Sequence, residues 1–330
     1  MDTKEFMPDG AMIQRIIGDL KTYEAERAKA HGQVQWRVPV FLGLFLLIVG
    51  LLAWGFNGFA DPNEQWFSAP HIFLYVLSFA ALFWVYSSAI SPATKLQQSF
   101  REKLLPIALS FIKDVRYNKG RTPDSFDRLP QETVGSFNRR NFDDVFSGRY
   151  EDFPFELYEV TLSQKSGKSE STKFRGVIVA FETVTPFPGL LVASNKTGQV
   201  ARFFRDMFSS GGGLQELQSG YAELDASYDF RTDNPDAARP LVTGRLARAL
   251  HWLAETWPEQ PARIALRSRD GYLLLPLTKN FFELPGISTP LDYKVHIEPI
   301  IADMVSLLAT ASLVRKIGAA DDKPEPQPAS

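Results

Sequence analysis

Two long uncharged runs near the N-terminus constrain this 330-residue chain more than any other feature it has. Between Arg37 and Asp61 lie 23 residues without a formal charge, apolar from Val38 to Phe56 apart from the indole of Trp54. Between Glu64 and Lys95 lie 30 more, greasiest from Phe67 to Ile90. A helix needs about 20 apolar residues to cross a hydrocarbon core of about 30 Å, and both runs suffice. A buried core helix would carry a polar stripe, which Val38 to Phe56 does not. A signal peptide would have a shorter apolar region nearer the start. The chain is therefore predicted to hold a two-helix transmembrane hairpin, spanning about 38–60 and 67–90.

Charge sets the expected orientation. Lys4, Arg15, Lys21, Arg27, Lys29 and Arg37 precede the first span. Lys95, Arg101, Lys103, Lys113, Arg116, Lys119 and Arg121 follow the second, whereas the Asp61–Trp66 loop has no Lys or Arg. Counting Lys and Arg near the span ends places both termini in the cytoplasm of a bacterial inner-membrane, multi-pass protein. Pro39 reads as the opening residue of span one, where its missing N–H costs little. No Asp, Glu, Lys or Arg lies within either span, so the hairpin reads as an anchor and not an ion path. His71 reads as an interfacial residue. Gly43 and Gly50 are seven apart and make no small-xxx-small motif.

The rest has the look of a soluble domain. Ile13, Ile16, Ile17 and Leu20 form one face of an N-terminal amphipathic helix, expected over 1–36. After the hairpin at 37–92, Leu96, Phe100, Leu104, Ile107 and Phe111 predict a helix continuing from span two, broken near Pro92 and Pro106. Residues 116–141 read as loop with short helical turns. Phe153–Leu162 reads as strand with a slip at Tyr158-Glu159, and Thr172–Val184 and Leu190–Ala193 as two more strands. Gly176 inside a continuous strand marks a bulge or a close backbone approach. The Ser209–Leu214 stretch lacks the residues of a phosphate loop and reads as linker. Tyr221–Phe230 looks extended, Thr243 caps a helix bearing Leu246, Leu250 and Leu253, and Arg269-Asp-Gly271 signals a two-strand hairpin. A helix from about Tyr293 to Lys316 follows, then a disordered tail at 318–330. The expected class is α+β: the transmembrane hairpin plus a cytoplasmic domain, 93–317, of antiparallel sheet with covering helices.

Phe146-Ser-Gly-Arg-Tyr-Glu-Asp-Phe-Pro-Phe-Glu-Leu-Tyr-Glu-Val160 and Lys173-Phe-Arg-Gly-Val-Ile-Val-Ala-Phe181 are the most distinctive blocks, followed by Tyr228-Asp-Phe-Arg231, Asp233-Asn-Pro235 and Asn280-Phe-Phe-Glu283. In this order the chain resembles a bacterial domain-of-unknown-function family (number three-one-three-seven). The resemblance implies a transmembrane hairpin and a cytoplasmic domain, with no reaction and no catalytic residues to carry over.

Chemistry-bearing patterns are sparse. The chain has no cysteine, which excludes disulfides and thiolate sites. His31, His71, His251 and His296 are scattered without ligand spacing and read as structural. Asp143-Asp144 and the Asp225, Asp229, Asp233 and Asp236 group read as solvated turns, lacking the calcium-loop pattern. No nucleophile elbow or Walker loop occurs, so no catalytic residue, metal or cofactor is expected. Net charge of −2 gives no reason to expect nucleic acid. The partners expected are the lipid bilayer and an unidentified protein. Arg101, Lys103, Arg116 and Lys119 are the candidate contacts to lipid headgroups. An interaction module at the inner membrane face heads the functional readings; a membrane-associated enzyme, or an accessory subunit of a transport or envelope assembly, are the alternatives.

Overall fold

A computed structural model describes residues 7–58, 65–99, 102, 105–196, 213–258, 261–283 and 285–316. Asp61 to Glu64, most of the Ser209–Leu214 connection and the 318–330 tail lie outside the described residues. The chain forms two compact units. One comprises Gly10–Ile107 with Leu284–His296; the other comprises Met1–Asp9, Ala108–Glu283 and Ile297–Ser330.

The first unit is built on two long helices in contact, α1 (Gly10–Phe56) and α2 (Ala69–Ser99). α1 does not restart at the membrane boundary: the amphipathic segment and span one are one helix, with Pro39 inside it. Proline there deletes the hydrogen bond to the Gln35 carbonyl. Gln35 is exposed, so water can satisfy that group, and spanning helices tolerate such a gap. Likewise α2 runs through Pro92 without a break.

On α1, Ile16, Leu20, Arg27, Ala30 and Ala53 are buried. On α2, His71, Leu74, Ala89 and Leu96 are buried, with Ser78, Ala81 and Val85 half-buried between them at steps of three and four. This is the spacing of a left-handed pair, and its small residues allow close approach. Small-residue packing thus lies on α2, whereas a Cβ on Gly43 or Gly50 of α1 would meet nothing within 4 Å. Phe79 is 81 % exposed and Trp84 72 %, as lipid-facing side chains are.

His71 joins the hairpin's two ends. Ala53 has one of the last carbonyls of α1, which no helical N–H reaches, and it lies 2.8 Å from His71 Nε2. Ser68, just ahead of α2, places its Oγ 2.6 Å from Nδ1. A neutral ring with Nε2–H donating and Nδ1 accepting satisfies both. His71 is fully buried between the two helices.

The second unit is a seven-stranded antiparallel sheet with helices. In chain order it holds β1 (Lys113–Lys119), β2 (Arg139–Tyr150), β3 (Phe153–Ser166), β4 (Ser169–Asn195), β5 (Gln215–Leu217) and β6 (Tyr228–Thr232), then β7 (Arg263–Pro276). The strands are ordered β1-β2-β3-β4-β6-β5, and β7 pairs with β4. The helix predicted to continue from span two runs to Ser99 and is followed by α3 (Leu105–Ala108), a single turn, but it stops short of Phe111: the chain enters β1, and Leu105, Leu109 and Ile112 are buried. The Tyr221–Phe230 stretch is α4 (Ala222–Ser227) followed by β6. α5 (Pro235–Val242) ends with Thr243 as its C-cap, so Gly244, not Thr243, precedes α6 (Arg245–Thr256).

Both sheet faces are covered. On one, Tyr158, Val160, Leu162, Phe174, Ile178, Val192 and Leu274 pack with Phe126, Leu129 and Val134 of an irregular segment. Their strand neighbours, among them Leu157, Val177, Val179 and Leu191, are buried on the other, where α7 (Glu298–Arg315) packs on β4 and β7 and α6 packs on α7. This explains the apparent slip at Tyr158-Glu159. No bulge exists in β3 there; Phe155 and Leu157 face one layer, Val160 and Leu162 the other, and a strand buried on both faces loses its alternation.

β7 overturns the predicted hairpin at Arg269-Asp-Gly271. Its two arms pair with the same long strand, from Ala193↔Ile264 to Gly176↔Pro276, so the chain bends along β4 without reversing. A two-residue hairpin turn needs positive φ at both central positions in type I′ and at the first in type II′. Here Ser268 has φ 52°, and neither Asp270 nor Gly271 is in that region. β4 itself runs through Pro186 and Pro188, where its pairing with β7 slips, since proline cannot donate to a ladder.

α7 matches the predicted C-terminal helix and follows a π-helical turn at Tyr293–Ile297. It is apolar enough to span a membrane, yet 72 % of its most apolar stretch is buried, against 6 % and 11 % in α1 and α2. It is a core helix. Its Asp303 carboxyl is raised to about 6 by burial. A group held above its unfolded pKa destabilises the fold once ionised, so this contribution worsens as pH rises from about 4 to about 6. Asp303→Asn is expected to add about 1–2 kcal/mol at pH 7, below the full-burial figure because the group is partly exposed, and nothing below about pH 4. Denaturation curves at the two pH values check this.

Candidate functional site

The sheet unit carries a charged groove of about 510 Å³, lined by Asp127, Arg128, Leu129, Gln131, Glu132, Arg267, Ser268 and Asp270. Its near wall is two short 3₁₀ turns, Phe126–Arg128 and Gln131–Thr133. Apolar residues tie the turns down: Phe126 is buried, with its ring edge-on to Phe142 at 4.9 Å, and Leu129 joins the same core. Ser125 N–H donates to the Glu156 carboxylate at 2.8 Å, and Tyr272 Oη donates to the Ser125 carbonyl at 2.9 Å. The far wall is the bend of β7, where Thr183 Oγ1 donates to the Arg269 carbonyl at 3.3 Å.

Across the groove the charges meet. Arg128 Nε lies 3.1 Å from both Asp270 carboxylate oxygens, and Arg267 Nη2 lies 3.4 Å from Glu132 Oε1. At its edge Arg140 Nη1 reaches Asp127 at 3.1 Å. Such exposed pairs each contribute less than about 1 kcal/mol to stability, so an incoming polar surface can rearrange them cheaply. The lining is self-neutralised and suits a surface with both signs of charge better than a lone anion.

A second polar cluster is internal. A register shift in β2 between Phe142 and Val145 turns Asp143 and Asp144 toward Glu159 of β3. One oxygen from each lies within 4.8 Å of the others, and Asp144 and Glu159 are buried. Tyr117 Oη donates to Asp144 at 2.7 Å, Asn280 Nδ2 to Asp143 at 3.0 Å, and Phe281 N–H to Glu159 at 3.3 Å. The solvated-turn expectation for Asp143-Asp144 is therefore corrected. Three carboxylates at this separation are the donor set of a hard cation, but these oxygens already stitch β1, β2 and β3 to the 280–281 turn.

In the other Asp group Asp225 and Asp233 behave as turn residues, whereas Asp229 lies within β6 with its side chain largely buried. Asp225 accepts from the Ser219 N–H and hydroxyl, Asp229 pairs with Arg231 at 2.8 Å, and Asp233 accepts from Leu190 N–H at 2.7 Å. The histidines have local partners: His31 with Gln35, His251 with Glu255 and His296 with the Asp292 backbone.

Of the candidate headgroup contacts, Arg101 and Lys103 lie outside the described residues. Arg116 and Lys119 are exposed on β1, an edge strand and not the loop expected. Three positions apart on a strand, they point to opposite faces and do not form one cationic surface. Lys119 stands opposite Asp144 in the β1–β2 pairing. Nothing local in the sequence marks the charged groove, because its partners Arg128 and Asp270 are 142 residues apart.

No family model and no curated protein matches the chain. Among solved structures, the crystal structure of the mycobacterial trehalose monomycolate transport factor A, TtfA, is similar at 13 % identity and a TM-score of 0.36, over 67 % of this chain and 94 % of that one. So slight a likeness carries no functional inference.

Proposed function

We propose that this membrane-anchored protein is an interaction module at the inner membrane face, serving as an accessory subunit of a transport or envelope assembly. The observation that supports this best is the anchor's construction. α1 is one helix of 47 residues, about 70 Å long, apolar over its second half and charged over its first. A continuous helix fixes its charged half in register with its apolar half. Within the same unit the aqueous half of α1 grips the 285–296 segment: Glu24 accepts from Leu291 N–H at 3.0 Å, and Arg27, salt-bridged to Glu24 at 2.6 Å, donates to the Ile287 carbonyl. The Arg27 guanidinium holds the Glu24 carboxyl below the ordinary glutamate range.

The charged groove at Arg128 and Asp270 supplies a surface for a partner protein, and Arg116 and Lys119 remain candidate contacts to headgroups. The reading requires both termini in the cytoplasm, as the thirteen Lys and Arg flanking the hairpin suggest. A periplasm-dependent reporter is expected to be silent at the C-terminus and active in the 59–64 loop; the reverse pattern would overturn it. Photo-crosslinkers at Gln131 and Ser268 in native membranes are expected to trap one dominant protein, and one at Lys168 to trap none.

A further inference from the structure

The hairpin has a second groove, between α1 and α2, of about 300 Å³ and lined by Glu26, Lys29, Ala30, Gln33, Pro92, Lys95 and Leu96. Its place along the helices is set by arithmetic. At 1.5 Å per residue, Gln33 is about 8 Å from Val38, where the apolar run of α1 begins, and Lys95 is about 8 Å past Ile90, where that of α2 ends. The polar layer outside the hydrocarbon core is about 5–8 Å thick on each side, so both reach it. Lys29 lies about 14 Å from Val38, on the aqueous side of that layer.

The lining is sorted by polarity. Ala30 and Leu96 are buried and, with Pro92, make an apolar floor. Lys29 and Lys95 are exposed on opposite walls, and neither makes an ion pair among the described residues. Arg37 follows Lys29 and Gln33 at a further step of four, extending the cationic wall to the apolar boundary. Glu26, the sole acid in the lining, is three residues farther from the membrane than Lys29 and closes the aqueous end.

We infer that this groove binds an anionic phospholipid of the surrounding leaflet, its phosphate between Lys29 and Lys95 and its glycerol and first methylenes on the Ala30–Pro92–Leu96 floor. An acidic peptide would match the two lysines but leave the floor unused, whereas a phospholipid presents charge and hydrocarbon in the order the groove does. The inference rests on the membrane anchoring of the hairpin and not on its orientation, since either leaflet offers phospholipid at this depth.

The test uses the full chain in mild detergent with equimolar phosphatidylglycerol and phosphatidylcholine, read by native mass spectrometry. Bound phosphatidylglycerol is expected to exceed phosphatidylcholine about thirtyfold, from two lysines each favouring an anionic headgroup. Lys29→Gln with Lys95→Gln should bring the two lipids level, and Lys29→Arg with Lys95→Arg should restore the preference. Arg15→Gln with Lys21→Gln, the same charge change farther along α1, should leave it intact. Equal binding by the unaltered chain would overturn the inference. So would equal loss in both glutamine pairs, which means diffuse attraction, or full displacement by inorganic phosphate, which means a free-phosphate site. The reporter fusions decide orientation separately, so the two readings fail independently.

Discussion

Gly176→Ala is expected to destabilise the sheet unit severely. Gly176 has φ +153°, which side chains rarely adopt, and an added Cβ would fall 2.1 Å from the Leu275 carbonyl oxygen, 2.8 Å from Leu277 N and 2.9 Å from Pro276 Cα. All three are backbone atoms of the β7 end, which cannot rotate away as a side chain could. The position also sits among paired strands, opposite Val160 in β3 and Pro276 in β7, and Leu277 N–H donates to the neighbouring Arg175 carbonyl at 2.9 Å. Relief requires parting β4 from β7, so about 3 kcal/mol or more is at stake, a large share of a domain's stability. The control is Gly167→Ala in the β3–β4 turn. Its φ is +59° but the space around it is open, so only about 1 kcal/mol is expected from the backbone. Chemical denaturation followed by circular dichroism compares them; a Gly176→Ala chain melting with the Gly167→Ala chain would show that the two strands can separate freely there.

Truncating Phe146 is the second large effect. The side chain is fully buried, with ring centroids 4.8 Å from Phe282 and 5.0 Å from Tyr117. It lies opposite Tyr117 in β1 and Leu157 in β3, so it joins three strands to the 281–283 segment. Phe146→Ala is expected to cost about 3–5 kcal/mol, the transfer term plus that of the cavity left behind. Tyr117 also donates to buried Asp144, and without the ring beside it that hydrogen bond loses its support. Phe146→Leu, which keeps most of the volume, should cost about 1–1.5 kcal/mol. Equal destabilisation by Ala and Leu would mean that aromatic contact, and not filled volume, governs this part of the core.

The sites differ in how far sequence could reach them. Gly176 was legible as a close approach, because glycine interrupts an otherwise unbroken β run. What approaches it was not, since Leu275 lies almost a hundred residues on. The carboxylate cluster was misread because adjacent aspartates look like turn residues; only the register shift in β2 carries them inward. The charged groove left no mark at all, its pairs joining positions more than 130 residues apart.

Properties carried by continuous stretches were set by sequence alone. The two spans, the charge asymmetry around them and the apolar C-terminal helix each follow from local composition, because hydrocarbon thickness and helical rise act on consecutive residues. Tertiary structure decided whatever depends on neighbours. Val38 to Phe56 and, Asp303 and Ser306 apart, Ile300 to Leu308 are both apolar, yet one faces outward and the other is enclosed by β4, β7 and α6. Arg269-Asp-Gly271 carries a hairpin's residues, yet it bends along β4 because that strand offers a partner to both arms. Local preference amounts to about 1 kcal/mol per residue, and the burial of a strand between two partners exceeds it.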